Sequence, residues 1–314
     1  MESSNLQCET SILNRRKKRK AKEEENIRPK RNCRGAKTKN VHQLNSRSKF
    51  LSTCFPQSFS LPNSIMYYIS KNPTTTKLYQ NLIQTCKYFF IKNPIIVSPN
   101  FPNPYSRDSD KLVIGKTGFY FSKLICKFWI TENFYFTSIL AKLYKCDAKI
   151  VTLQNKVISF NELSMFTKTA EDISLNEITV NDSDDSIVPF EIILEIFVNV
   201  KKFRFFAYSS IPNFTSKTFD EILTIPHFSK LQLFFLKNIP DTFDIETFYA
   251  YMKKNNTTKF NLIFDKSISA PYKNRLEEII DELFSTKIFN YKPPFIYFDS
   301  FDPGKKHRLF RQFF

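Results

Sequence analysis

The chain has 314 residues, with 47 Lys and Arg against 30 Asp and Glu, and a formal net charge of +17. Its apolar content of 42%, including 35 Phe, supplies ample core material, and length by itself allows one elongated array or two compact domains. Only 4 Gly in the whole chain argue against Gly-rich nucleotide-binding turns and Gly-dependent hairpin stacks. The joint excess of Phe, Ile, Asn and Lys is what a codon-biased genome produces, so Phe abundance carries no functional weight. Residues 1–50 hold 15 Lys and Arg against 5 Glu and almost no large apolar residues. Such a segment buries too little surface to offset the entropy of ordering and is expected to be a disordered basic tail. Within it Arg15, Arg16, Lys17, Lys18, Arg19 and Lys20 form a cationic run, with Arg28-Pro29-Lys30-Arg31 downstream. Two readings of that run stay open: a nuclear import signal or nucleic-acid arm, and a solubilising tail that nothing reads.

Residues 58–92 change character. Ile65, Ile69, Leu78, Leu82, Cys86 and Phe89 recur at helical spacings, interrupted at Asn72-Pro73, and predict two or three short helices. Residues 93–110 follow as a connector in which Pro94, Pro99, Pro102 and Pro104 preclude a regular helix.

Residues 111–314 contain a repeat. Lys202-Phe203-Arg204-Phe205, Lys230-Leu231-Gln232-Leu233 and Lys259-Phe260-Asn261-Leu262 share a Lys-apolar-polar-apolar pattern, and Asp172-Ile173-Ser174-Leu175 is a fourth match. Alternation with period 2 marks each as a short strand with one buried face. Between them the spacing turns helical at Phe190, Ile193, Leu194 and Phe197, at Phe219, Ile222 and Leu223, and at Ile245, Phe248, Tyr249 and Met252. The expectation is an α/β array with parallel strands on one face and helices on the other. Further strands are expected near Lys127–Ile130, Ala148–Val151 and Pro294–Phe298, and a helix over Ala270–Phe284.

The stretch Leu61-Pro62-Asn63-Ser64-Ile65, then Ile69, Leu78 and Leu82, ending Cys86-Lys87-Tyr88-Phe89, resembles the F-box. With the downstream repeats it looks like the expanded F-box-like families of nematodes, in which a small helical motif precedes an irregular leucine-rich-repeat-like solenoid. The resemblance implies a non-enzymatic adaptor. Leu61, Pro62, Ile65 and Leu82 would dock onto a Skp-type adaptor of a cullin ubiquitin ligase, and the array would hold an unknown protein target. The other reading of those four residues is a helical cap that seals the first repeat. Departures from the pattern are Phe89 where the family often has Trp, a polar middle from Asn72 to Lys77, and no consistent Asn at the strand-to-loop turn, where Asn181 and Asn238 are the candidates.

If Phe203/Phe205, Leu231/Leu233 and Phe260/Leu262 point inward, the opposite face presents Lys202, Arg204, Phe206, Lys230, Gln232, Phe234, Lys259, Asn261 and Ile263. This mixture of lysines and apolar side chains suits a protein partner with acidic residues around a hydrophobic anchor. An equally open reading has the C-terminal segment 310–314 folding over it.

Other candidate sites are weak. Gly115-Lys116-Thr117 mimics the end of a phosphate loop, but Asp110 stands where the earlier Gly belongs. His42, His227 and His307 are far apart in sequence, and Asp182, Asp184 and Asp185 lack the Gly and closing Glu of a calcium loop. No cofactor and no small-molecule substrate are expected. Six cysteines without a CxxC pair, no evident secretory segment and no run of roughly 18 apolar residues lead to the expectation of an intracellular protein without a membrane span, in nucleus or cytoplasm. The alternative functions are a nuclear nucleic-acid-binding protein that uses the basic tail, and a free-standing repeat protein-interaction module.

Overall fold

A computed structural model of the chain describes residues 48, 51–53, 58–101, 111–114, 117–120, 123–135, 140–299 and 301–313. The cationic runs at 15–20 and 28–31, and Gly115 and Lys116, lie outside them. Residues 63–314 form one unit, and no helix among the described residues is long and apolar enough to cross a membrane.

Three short helices open this unit: α1 (Asn63–Lys71), α2 (Thr76–Thr85) and α3 (Lys87–Lys92). Their ends follow local chemistry. Thr75 caps α2 by accepting from the Leu78 amide at 3.2 Å, and Cys86, the break between α2 and α3, accepts from the Tyr88 amide through its sulfur at 3.3 Å.

All the remaining strands but two join one nine-stranded sheet: β1 (Ile95–Asn100), β4 (Lys127–Phe134), β5 (Leu143–Cys146), β6 (Ile150–Ser159), β7 (Asp172–Asn181), β8 (Lys202–Phe206), β9 (Leu233–Ile239), β10 (Lys259–Phe264) and β11 (Phe295–Tyr297). The other two, β2 (Lys111–Ile114) and β3 (Thr117–Tyr120), form a separate antiparallel hairpin. Every pairing in the large sheet is parallel, and from β6 to β11 each strand lies beside the next in sequence. The first half of β4 pairs with β5 and its end with β6. Strand β1 falls inside the Pro-rich stretch read as a connector. It pairs with β4 because Pro94 precedes the strand and Pro99 falls near its end, where the register shifts between Ser98 and Asn100.

Between strands lie α4 (Phe160–Ser164), α5 (Phe190–Glu195), α6 (Thr218–Thr224), α7 (Ile245–Met252) and α8 (Ala270–Ser285), and α9 (Pro303–Phe313) follows β11. The elements α5 to α8, β4, β6, β7, β8, β10 and β11 fall where the hydrophobic periodicity places them. Strands β7, β8 and β9 are entered the same way: the Glu171 and Asp172 amides donate to Lys149 O, the Lys201 and Lys202 amides to Glu171 O, and the Gln232 and Leu233 amides to Lys201 O.

Those entry bonds correct one register. Leu233, not Lys230, is equivalent to Lys202, and Phe203, Phe234 and Phe260 pair across the sheet. Lys230 belongs to a 3₁₀ turn, Phe228–Lys230, and Leu231 is buried just beyond it, outside the strand. The segment Lys230-Leu231-Gln232-Leu233-Phe234-Phe235-Leu236 holds two overlapping alternations, offset by an odd number of residues. A shift between them exchanges the faces of every side chain.

The core lies between the sheet and α4–α8, and its filling is largely aromatic. Phe190 of α5 meets Phe205 edge-on with ring centres 5.2 Å apart, Phe248 of α7 meets Phe260 at 5.1 Å, and Phe203 stacks on Phe234 at 6.1 Å.

Candidate recognition surface

Side chains alternate across a sheet, so the residues between the core-facing ones form a second face. Strand pairing arranges them in rows. One row runs Ile150, Asp172, Lys202, Leu233, Lys259; the next runs Thr152, Ser174, Arg204, Phe235, Asn261, Phe295; the third runs Gln154, Asn176, Phe206, Lys237, Ile263, Tyr297.

Both ends of this face are covered. At the first strands, Tyr79 of α2 packs with Ile95 and Trp129 in a small separate core that Ile83, Val97 and Tyr144 border. The Tyr79 hydroxyl donates to Asn93 O at 2.8 Å and accepts from the Ile95 amide at 3.0 Å, and burial pushes its pKa up to about 12. The buried Asn93 amide donates to Ser70 O at 3.0 Å, and the Tyr144 hydroxyl donates to Lys71 O at 3.1 Å, which ties α1 to the same place. At the last strand α9 closes the sheet: Leu309 is fully buried, the Phe310 ring meets Phe295 edge-on at 6.2 Å, and Lys306 Nζ lies 4.0 Å from the centre of the Tyr297 ring. Helix α9 also reaches α8, with Lys305 paired to Asp281 at 2.5 Å and Arg308 over the Phe284 ring at 4.3 Å.

Between the two covers, β6 to β10 present an open face. Lys202 and Lys259 are exposed, and Arg204, Phe206 and Ile263 are half-buried, as the alternation predicts. Arg204 and Lys202 both engage Asp172. Three expectations fail. Phe234 is fully buried because the register shift turns it into the core, and Phe235 takes its place, its ring 4.7 Å from that of Phe206. Lys230 and Gln232 are exposed but precede β9, at the amino-terminal rim of the sheet. Asn261 is buried, because Phe235 on one side and Phe295 on the other flank it in the row, and its amide oxygen has no hydrogen-bond partner.

At the carboxyl ends of β8–β11 the open face deepens into a cleft of about 750 Å³, whose lining includes Tyr208, Lys237, Ile263, Lys266, Tyr297 and Asp299. Sequence reasoning missed all of these but Ile263. The signal for Lys237 is the Asn that follows it. Asn238 adopts a left-handed backbone, φ 64°, and donates through its side chain to Ala207 O at 2.8 Å and Tyr208 O at 3.1 Å. It sits at the irregularity between Lys237 and Ile239 near the end of β9 and holds the preceding loop. Asn181, the other expected turn residue, has a buried amide oxygen without a partner. In β6 and β7 the left-handed positions are Asn155 and Glu177, φ 54° and 55°, side by side between paired residues.

Of the expected adaptor-binding residues, Ile65 lies on α1 and Leu82 on α2, and Leu61 and Pro62 precede α1 in sequence. Leu61 and Ile65 are 48% and 46% exposed, Pro62 is exposed and Leu82 is half-buried. On α2 the sheet takes Tyr79 and Ile83, while Leu78 remains exposed. The acidic run closes a turn after β7, where the Asp184 carboxylate accepts from the Ser186 amide at 3.0 Å and Asp185 takes φ 64°. Thr117 begins β3. Comparison of the chain with protein-family models, with curated proteins and with solved structures found no match.

Proposed function

We infer that the protein is a non-enzymatic recognition scaffold, an F-box-like adaptor whose leading helices dock onto a Skp-type partner while an irregular leucine-rich-repeat-like solenoid holds a protein target. The observation that carries this reading is the division of labour in α1–α3. Tyr79, Ile83 and Met66 are turned inward, whereas Ile65 and Leu78 are left in solvent; Leu61 and Pro62, just before α1 in sequence, are exposed. A helical cap needs only the first set; exposed aliphatic side chains beyond it are what a docking surface presents. The solenoid reading is supported by the sequential parallel pairing and the repeated entry bonds at Glu171, Lys201 and Gln232. The open face, bounded at both ends, then serves as the target surface, in nucleus or cytoplasm.

Purification with the Skp-type adaptor of the protein's own organism tests the docking half. Tight binding by the wild type that is lost in a Leu61→Ala/Pro62→Ala variant supports it, and a folded wild type that does not bind excludes it. A second reading, nucleic-acid binding through the basic tail, rests on the 15 Lys and Arg of residues 1–50. It requires an affinity that falls steeply with salt and vanishes when those residues are deleted.

A further inference from the structure

The geometry points to an acidic peptide segment with an apolar anchor as the ligand of the open face, seated with its acidic side chains over the cleft at the ends of β8–β11. This inference rests on reading that face as the target surface, and adds its chemistry.

Charge selects the ligand. The face and the cleft carry Lys202, Arg204, Lys237, Lys259 and Lys266, with Lys306 of α9 at the wall over Tyr297. Three carboxylates, Asp172, Asp265 and Asp299, stand among these six cations, so positive charge is in excess. Asp172 lies between Arg204 and Lys202, and Asp265 accepts from the Ser267 amide at 2.8 Å and hydroxyl at 2.6 Å, which holds its pKa below the usual carboxylate range. Lys237 and Lys266 are exposed within a concave site, where field lines from an incoming anion concentrate.

Apolar contact selects the anchor. Phe206 and Phe235, whose rings meet, and Leu233 two residues along β9 are half-buried and offer a hydrocarbon floor, with Ile263 beyond Lys237 in the same row as Phe206, and Tyr208, 84% exposed, stands at the cleft. An aliphatic or aromatic side chain laid on this floor removes apolar surface from water on both partners, while the surrounding lysines fix orientation and raise the association rate. A nucleic acid fits less well. The Phe206 and Phe235 rings are tilted 58° to each other rather than laid out as flat stacking platforms.

The test uses the full chain and a fluorescent pool of short peptides rich in Asp and Glu, with Leu and Phe at randomised positions. Controls are the same pool with Asn and Gln in place of the acids, and a single-stranded oligonucleotide of matching charge. Titrations compare the wild type with Lys237→Glu/Lys266→Glu and with Phe235→Ser, each checked for folding by circular dichroism. The basic tail is present in every chain, so its own attraction for acidic probes cancels in the comparison. The expected result is at least about tenfold tighter binding of the acidic pool than of the neutral one, and a loss of about tenfold in each variant. Equal affinity of wild type and charge-reversal variant would overturn the inference, since the tail alone then accounts for binding. So would equal affinity for the neutral pool, or a tighter oligonucleotide complex with the same dependence on Lys237 and Lys266. If the neutral pool binds and Phe235→Ser abolishes it, the face still recognises partners and only the acidic preference fails. If no pool responds to Phe235→Ser, the target-surface reading fails with it, while adaptor docking through α1–α3 is measured independently.

Discussion

His227 shows how one side chain sets a pH response. It is half-buried on the turn before β9, with Nε2 3.2 Å from Leu194 O, and that contact needs the neutral ring to carry its proton on Nε2. Burial pushes its pKa below the ordinary 6.5, and Lys230 acts in the same direction, while the Leu194 carbonyl and Glu195 oppose them. In the unfolded chain the ring protonates at its usual pKa; in the folded chain it resists, so the unfolded state binds more protons in that window. The stability this contributes is complete above the unfolded pKa and is lost as pH falls through it. Glu191, whose carboxyl is pushed up by burial and by the neighbouring Glu221, works in the opposite sense. The readout is therefore the difference between wild type and His227→Gln in urea midpoint from about pH 7.5 to about pH 5.5. The wild type is expected to lose more stability over that range, and parallel curves would show that the ring is not held neutral. Other residue choices follow from the scarcity of glycine. With 4 Gly in the chain, Asn155, Asn213 and Asn238 take left-handed backbone conformations, because a short amide side chain tolerates them best after Gly.

At the scale of elements, β9 decides what the open face is made of. Its sequence supports two strands of opposite facing, and pairing with β8 and β10 selects the one that places Phe234 among Phe203, Phe228 and Phe260. Phe234→Ala should cost about 3–5 kcal/mol in urea unfolding, through lost burial and a cavity that rigid neighbours cannot close. Phe235→Ala, one position along on the half-buried face, should cost less than about 2 kcal/mol, since water replaces what it loses. Reversal of that order would restore the register in which Leu231 and Leu233 face inward. Helices α5 and α8 were legible. Phe190, Ile193, Leu194 and Phe197, or Leu276, Ile279, Ile280 and Leu283, repeat with helical period over enough turns to leave one interpretation, and all eight are buried. Strand β1 was not legible, because four prolines between Asn93 and Tyr105 mask a strand whose centre, Ile96 to Ser98, contains none.

At the scale of the whole unit, a sheet built by adding one strand after another exposes an edge at each end and must cover it. Helices α1–α3 pack at the first strands, and α9 does the equivalent at β11 through Leu309, Phe310 and Lys306. A chain ending before Pro303 is expected to expose β11 and to associate with increasing concentration, read by light scattering on a sizing column. A truncated chain that stays monomeric with an unchanged Tm would show that α9 is not a cap. The candidate site divides along the same line. The amino-acid order by itself determined helices α5–α8, the helical character of residues 63–92, most of the strands, the α/β class and which residues of β8 alternate outward, because these depend on periodicity within single segments. Only the tertiary structure decided the facing of Phe234 and Phe235, the burial of Asn261, the covering of both ends and the cleft of Lys237, Lys266 and Tyr297. Those depend on hydrogen bonds and contacts between segments some thirty or more residues apart, whose registers compete within a few residues and are chosen by the packing of the core.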